Sequence, residues 1–521
     1  MPGMIPITTL VHEVARVFGP KPAIISDRWT VTYAELDERV NRLANAFIEL
    51  GVQNGDRCAV MATDSIEHIE TALAICRAGA VYVPLNYRLR QDEVGYLLSD
   101  SDPVLLIVDS DYLDIATSVR QIVTSIKQVI EFGPGREDVL SHEDVVNRGG
   151  TSYPNVALRP DDVVQIQYSS GTTGLPKGAV LTHHTLSSRT AIGLVESGRF
   201  ASDISFHNAP FFHVAGSQLD YSVLVRGGTV VRHRQFDAER AANALEELGV
   251  TSAFFVPSMI NALLQVPDIS QRDFSSLRLI EYGAAPMPQA QLRSAIDVFG
   301  CSFVQLFGAG TEGGMQAVLP AEDHVVGGTE AQTRRLSSIG RPTSFTEVRV
   351  VNEDGNAVAP GEIGEIISRG PANMREYWGK PEATSETLRN GWLHAGDMAT
   401  VDEDGYLYLV DRKKDMIIRG GENIYPTEIE LALCEHPKVL EAAVIGVPDD
   451  HWGENVHAIV VVRPGETLTG EEVIEFCRQR LASYKKPAAV EFVDELPRNA
   501  SGKILKRELR APYWKDAGRS I

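Results

Sequence analysis

From residue 33 the chain reads YAELDERVNRLANAFIEL, with Leu36, Val40, Leu43, Ala44 and Phe47 at helical intervals. Apolar side chains spaced this way share one face, so an amphipathic helix is predicted. DRCAVMA, from residue 56, is a short continuous apolar run that reads as a buried strand, and SIEHIETALAICRAG follows as a second helix. Strand and helix keep alternating through VLLIVD, VVQIQYSS, TSAFFVP and LRLIEYGAA. Short apolar strands separated by helices predict an α/β fold of layered subdomains with largely parallel sheets.

Near residue 337 the texture changes. EVRVVNEDGNAVAPGEIGEIISRG and MATVDEDGYLYLVDRKKDMII are β-branched runs joined by Asp-Gly pairs, the strongest short hairpin signal. They predict a small β-rich subdomain over about 337–411, closing a large N-terminal domain of residues 1–411. Beyond it, TEIELALCEHPKVLEAAVIGVPDDHWGENVHAIVVV reads as helix, strand, turn, strand, and GEEVIEFCRQRLASY and AAVEFVDEL add a helix and a strand. Residues 412–521 therefore form an expected small α+β domain. The charged junction DRKKD is a plausible hinge, which would make that domain mobile.

Bulk properties narrow the partners. A chain of 521 residues needs more than one core. A net charge of −21 argues against binding nucleic acid through its phosphates, while leaving room for a local basic cleft. Cys58, Cys76, Cys301, Cys434 and Cys477 are scattered with no CxxC pair, as expected of reduced cysteines in a cytoplasmic protein. No basic segment leads into an apolar run at the start, and ALAICRAGAVYVPL is interrupted by Arg77, so neither a signal peptide nor a membrane span is expected.

The chemistry concentrates first in YSSGTTGLPKGAV, residues 168–180. Glycines free the backbone to present N–H groups to an anion, and Ser169, Ser170, Thr172, Thr173 and Lys177 add hydroxyls and a positive charge. A P-loop would need Gly-Lys-Ser/Thr, whereas Lys177 follows Pro176 and precedes Gly178. A plain turn has the same composition, so this stretch alone decides nothing.

Six further motifs in fixed order decide it. With YSSGTTGLPKGAVLTHHTL stand PFFHVAG (210–216), YGAAPMP (282–288), GTEGG (310–314), GWLHAGDMA (391–399), DRKKDMIIRGGENIYPTEIE (411–430) and LPRNASGKILKREL (496–509). Together they resemble the adenylate-forming superfamily, in particular its acyl-CoA synthetase branch, over nearly the whole chain. The resemblance implies two steps. A carboxylate attacks the α-phosphate of MgATP, giving acyl-AMP and pyrophosphate, and the coenzyme A thiol then displaces AMP.

The resemblance also implies roles. Lys503 is the cation between carboxylate and α-phosphate, although by position alone it would be a solvated tail lysine. Glu312 and Thr173 hold Mg²⁺, and Thr173 and Thr311 contact phosphate together with Ser169, Ser170, Gly171, Thr172, Gly174 and Lys177. Gly283, Ala284, Ala285 and Pro286 contact adenine. Phe307, Gly308 and Ala309 do so from a displaced position, because the aromatic ring lies one residue earlier than the family pattern: either the loop bulges and Phe307 still stacks, or adenine loses a face. Asp397 and Arg412 hold the ribose, with a strand-end salt bridge as the plainer alternative.

His213 adjoins the substrate carboxylate, in an acyl pocket formed by Phe212, Val256, Ile260, Gly310 and Gly313. Lys414 is the hinge about which the small domain rotates between the two steps. Arg419, Gly420, Gly421 and Glu422 then line the coenzyme A path, and Lys485 and Lys486 are candidates for its nucleotide end. A metal role for His183, His184, His207 and His213 is disfavoured by their spacing.

The expected protein is thus an ATP-dependent acyl-CoA ligase using ATP, Mg²⁺ and coenzyme A, acting on a medium- or long-chain fatty acid. An aryl acid is the first alternative, and an acyl-AMP ligase serving a carrier protein the second. A nucleotide-binding protein with decayed chemistry is the reading from another class. Small molecules are the expected partners, with a homodimer also admitted.

Overall fold

The computed structural model describes residues 4–169, 175–285, 287–413, 415–420, 422–449, 451–498 and 504–515. The chain divides into two compact units. The first comprises Met1–Ser169, Pro176–Glu347 and Ser368–Leu393, the second Ser170–Leu175, Val348–Ile367 and His394–Ile521. The boundary expected at 411/412 falls inside the second unit, where Trp392–Val401 and Leu407–Arg412 form an antiparallel hairpin.

The first unit carries two sheets. One has nine strands, six of them parallel: Pro22–Ser26, Thr229–Arg232, Ile204–His207, Ser252–Phe255, Leu279–Gly283 and Ser302–Gly308. The other has eight strands and is parallel except where Val163–Tyr168, Gly178–Thr182 and Glu376–Tyr377 run antiparallel. The apolar run from 56 is the strand Arg57–Met61, and the helices predicted around it are Tyr33–Glu49 and Ile66–Arg77.

Leu36, Val40, Leu43, Ala44 and Phe47 are completely buried. At about 1.5–3 kcal/mol for each large side chain, that face holds the helix in place. Its start is fixed by a reciprocal cap, in which Thr32 accepts from the Glu35 N–H and Glu35 accepts from the Thr32 N–H. One continuous core joins Val60, Tyr82 and Ile107 of the eight-stranded sheet to Ile24 and Val230 of the nine-stranded sheet.

In the second unit only one Asp-Gly pair makes a full hairpin. Asp404-Gly405 joins Trp392–Val401 to Leu407–Arg412, whereas after Asp354-Gly355 the chain makes a single bridge, Val351 to Ala357. The C-terminal part is the expected α+β arrangement, a sheet of Glu422–Ile424, Ile417–Arg419, Gly453–Val462, Val439–Asp449 and Ala489–Phe492. Its strands alternate between two cores. Val444, Val456 and Val460 pack with Ile429, Leu433 and Val473 of the helices, while Ile445, Ile459 and Val461 pack with Leu496, Ile504 and Leu509. Among the described residues no helix is long and apolar enough to cross a membrane.

Candidate active site

The expected phosphate loop connects two strands that pair until its base. Tyr168 faces Gly178, and one step further the Ser169 N–H donates to the Lys177 carbonyl at 2.9 Å. Gly178 is required there, since a Cβ would lie 2.6 Å from Ile166. Ser170, Gly171, Thr172, Thr173 and Gly174 fall outside the described residues. On the other side of Gly178–Thr182 lies Glu376–Tyr377, with Tyr377 opposite Ala179. The Lys177 ammonium is 5.2 Å from the centre of the Tyr377 ring, within reach of its negative face.

Tyr377 in turn holds Glu312. Its hydroxyl donates to Glu312 Oε1 at 2.8 Å, and the Thr311 hydroxyl donates to Oε2 at 2.5 Å. Both residues sit in the short helix Gly310–Gly313. Arg189, from the helix His183–Glu196, fixes that segment by its backbone: Nη2 donates to the carbonyls of Thr311 at 2.9 Å and Glu312 at 3.1 Å, and Nε to that of Ala372 at 2.7 Å. Burial pulls the Arg189 guanidinium down to about 9, against the charge of Glu312. Burial, and next the Glu312 charge, push the Tyr377 phenol well above the usual tyrosine range. Sequence reasoning missed both residues. An arginine in an otherwise hydroxyl-rich, apolar helix was the one available signal for Arg189, and Tyr377 lies in none of the seven motifs.

Four parallel strands end at one edge of the nine-stranded sheet, where α/β proteins bind ligands. Just past Ile204–His207 comes the segment with His213, past Ser252–Phe255 comes Val256, past Leu279–Gly283 come Ala284 and Ala285, and past Ser302–Gly308 comes Ala309. Gly283 pairs with Leu306, which leaves no room for a side chain: a Cβ would be 2.3 Å from the Leu306 carbonyl. Ala284 takes a φ of +69°, a left-handed conformation that costs an alanine energy and re-aims the chain at this turn. Pro286 lies outside the described residues.

A bulge interrupts pairing between Phe307/Gly308 and the next strand, with Phe307 opposite Ala317 and Gly308 opposite Met315. The extra residue is therefore Gln316, on the neighbouring strand, and Phe307 and Gly308 stay in regular sequence. A Cβ on Gly308 would sit 2.0 Å from the Gly314 carbonyl.

Of the expected acyl-pocket residues, Phe212 is buried edge-on against Tyr87, and His213 caps the helix Val214–Arg226, its Nδ1 accepting from the Ala215 N–H at 3.3 Å. Val256 packs with the apolar cluster of Ala209, Leu219 and Phe254, joined by Leu306. Ile260 is completely buried in a separate core with Phe206, Phe255 and Leu263. Gly310, at φ +54°, has nothing within 4 Å of its Cβ direction, whereas Gly313 faces Gln316 and Leu393. His207 is buried against Asp220. Among the described residues the metal-like cluster is Glu70, His142 and Glu143, but Arg39 already pairs with both carboxylates, at 2.7 and 2.5 Å.

In the second unit Asp397 and Arg412 are cross-strand partners, with Arg412 Nε 3.2 Å from Asp397 Oδ1. The salt bridge weighed as the plainer alternative is thus present, and it leaves room for a ribose role. Lys414 and Gly421 lie outside the described residues. Arg419 faces Glu422 across a hairpin. Gly420, at φ +59°, donates to the Trp452 carbonyl at 2.8 Å, and a Cβ there would come within 2.6 Å of the Trp452 ring. Lys485 is paired with Glu428 at 2.6 Å.

Lys503 lies outside the described residues, but its flanks are pinned. Arg498 bridges to Ile504, and the Leu505 N–H donates to Pro497 at 2.8 Å. The following helix, Lys506–Trp514, is tied by Lys506 to Glu430 at 2.7 Å and by Arg510 to Asp415 at 3.0 Å.

The fold and the comparisons with known proteins place the chain in the adenylate-forming class. The chain belongs to the AMP-binding enzyme family, whose pattern it matches over residues 11–378, with the AMP-binding enzyme C-terminal domain matched over 428–503. It is 42% identical over 500 residues to a feruloyl-CoA synthase of Amycolatopsis sp, covering 96% of this chain and 97% of that protein. It is 38% identical over 505 residues to the fatty acid–[acyl-carrier-protein] ligase ScoC of Streptomyces coeruleorubidus, covering 96% and 95%. Its fold is similar to that of the anthranilate CoA ligase AuaEII in complex with anthranoyl-AMP, with a TM-score of 0.90 and 27% identity over 100% of this chain and 99% of that one. The protein is an AMP-forming acid–thiol ligase of the acyl-CoA synthetase type.

Proposed function

We propose that the enzyme activates an apolar carboxylic acid as its acyl-adenylate and transfers it to coenzyme A, and that an aryl acid is the substrate. The observation that carries the chemistry is the contact series Lys177–Tyr377–Glu312–Thr311 beside the base of the phosphate loop. Attack on the α-phosphate crowds negative charge around phosphorus, and fixed cations and donors lower that barrier because they need not reorganise. Lys177 supplies a cation at the loop, and Lys503 supplies one at the α-phosphate. Asp397 accepts hydrogen bonds from the ribose hydroxyls, with Arg412 beside it.

Glu312 fits Mg²⁺ as a hard oxygen ligand, because among the described residues each carboxylate oxygen accepts one hydrogen bond and keeps a lone pair. When bound with Thr173 and the phosphates, the ion would neutralise charge on the departing pyrophosphate. Between the two steps, rotation about Lys414 withdraws Lys503 and brings Arg419–Glu422 toward the thiol path.

The aryl reading is supported by the 42% likeness to a feruloyl-CoA synthase, and the apolar cluster of Ala209, Leu219, Phe254, Val256 and Leu306 suits an apolar acid of either kind. The second reading, a medium- or long-chain fatty acid, is supported by the likeness to ScoC. The test is coenzyme-A-dependent AMP release with ferulate, cinnamate, benzoate, octanoate and palmitate, repeated with acyl-carrier protein in place of coenzyme A. Higher kcat/KM for ferulate or cinnamate than for either fatty acid is expected. Preference for octanoate or palmitate overturns the aryl reading, and transfer only to carrier protein overturns the coenzyme A reading.

A further inference from the structure

The segment Ala209–Gly216 is held from beneath by a fully enclosed charged cluster. Arg232 ends the strand Thr229–Arg232 and is 1% exposed, with Asp64 6% and Asp220 0% exposed. Arg232 Nε donates to Asp220 Oδ2 at 2.5 Å and Nη1 to Asp64 Oδ2 at 2.5 Å. Two more donors go to the segment itself, Nη1 to the Ala209 carbonyl at 2.8 Å and Nη2 to the Gly216 carbonyl at 3.1 Å. Asp64 completes the grip, since its Oδ1 accepts from the Phe211 N–H at 2.7 Å. The Phe211 ring lies beneath the guanidinium at 5.5 Å and is met edge-on by His68.

One side chain thus ties Ala209, at the start of the segment, to Gly216 in the first turn of the helix Val214–Arg226, while its acid partner holds Phe211 between them. At Gly216 the chain closes so tightly that a Cβ would lie 2.2 Å from the Pro210 carbonyl. Enclosing three charges is costly, and a packed apolar set of the same volume serves stability as well or better. What an apolar set cannot do is donate to two carbonyls at fixed points. Ahead of the helix, where backbone groups lack ladder partners, the bonds to Ala209 and Phe211 decide the path of the chain, and the bond to Gly216 fixes where the helix begins.

We propose that Arg232, with Asp64 and Asp220, is a positioning device for the acid-binding segment: it sets the path of Ala209–Gly216 and so the place of His213 and Phe212 at the carboxylate. This rests on the acyl-site reading given above. Among the described residues the cluster makes no hydrogen bond to the Thr311–Glu312 segment, and the segment's tie to the strand Val163–Tyr168, Gln167 Nε2 to the Phe212 carbonyl at 3.0 Å, is made by another side chain, so the loss of Arg232 acts first on the acid.

The experiment is carboxylate-dependent ATP–pyrophosphate exchange on the full chain, varying acid and ATP separately, for wild type, Arg232→Met and Asp64→Asn. The expected result is a rise in the KM for the acid of about tenfold or more, the scale of a lost hydrogen bond to a charged group, with the KM for ATP unchanged. Arg232→Lys, which keeps the charge but not the fork, recovers only part of it. An unchanged acid KM, or acid and ATP values rising in parallel, overturns the proposal. If Arg232→Met does not fold, Asp64→Asn gives the same readout with a side chain of equal size. Amide hydrogen exchange over Phe211–Gly216 is a readout free of activity: faster exchange there, with Ile204–His207 still protected, supports the clamp, and unchanged exchange overturns it. No exchange activity by wild type with any acid would instead sink the functional reading, leaving the clamp to be judged by the amide data.

Discussion

The Tyr377 hydroxyl donates to Glu312 Oε1 at 2.8 Å, across 65 positions of sequence, and the ring of the same tyrosine carries the Lys177 ammonium at 5.2 Å. One side chain therefore couples the expected metal ligand to the lysine of the phosphate loop. Tyr377→Phe keeps the ring and removes the donor. The free carboxylate should lose its orientation, and exchange at limiting Mg²⁺ should fall about ten- to a hundredfold, with partial recovery at high Mg²⁺. A Mg²⁺ titration of ATP–pyrophosphate exchange in both proteins reads this directly.

Lys503→Ala separates the two steps. Adenylation should drop about 10²–10³-fold, the scale of removing one charge-stabilising donor. Transfer from chemically made acyl-AMP to coenzyme A should survive. Single-turnover assays of each step check it, and equal losses in both would contradict the assignment of Lys503 to the first.

Phe307 stays in register with the strand while the bulge falls at Gln316. If its ring stacks on adenine, Phe307→Ala should raise the KM for ATP by the equivalent of about 1–3 kcal/mol, and Phe307→Tyr should not. Exchange kinetics at saturating acid supply the comparison. Gly308→Ala should lower thermal stability, because its new methyl would meet the Gly314 carbonyl at 2.0 Å.

Two buried histidines, His68 and His183, and the partly buried His324 set an acid limit. Burial lowers His68 to about 3, and His183 and His324 to about 4, each from an ordinary 6.5. Unfolding lets each take up a proton that the folded form refuses. Their contribution is therefore complete above pH 6.5 and is lost as pH falls toward 4, at about 1.4 kcal/mol per pH unit for each group. Calorimetry from pH 8 to pH 4.5 should show the thermal midpoint falling below pH 6.5, and His183→Asn should flatten that fall.

Local rules carried much of the fold. The helix Tyr33–Glu49 and the strands Arg57–Met61 and Leu279–Gly283 follow from periodicity and apolar runs, since burial on one face or on both is written directly into spacing. The Asp-Gly pairs were weaker guides. A turn dipeptide specifies a reversal, whereas a second strand needs a neighbour to pair with, and after Asp354-Gly355 only the bridge at Ala357 is formed.

By itself the sequence determined which residue types stand in which order, and the seven motifs were enough to set the class of chemistry. Tertiary structure decided what those motifs rest on. Arg189 reaches the Thr311 carbonyl over 122 positions, Tyr377 reaches Glu312 over 65, and Arg232 reaches Asp64 over 168. Periodicity and turn chemistry act over a few residues, while these bonds arise where sheet pairing and helix packing bring distant segments together. Supporting side chains of this kind are invisible until the chain is folded.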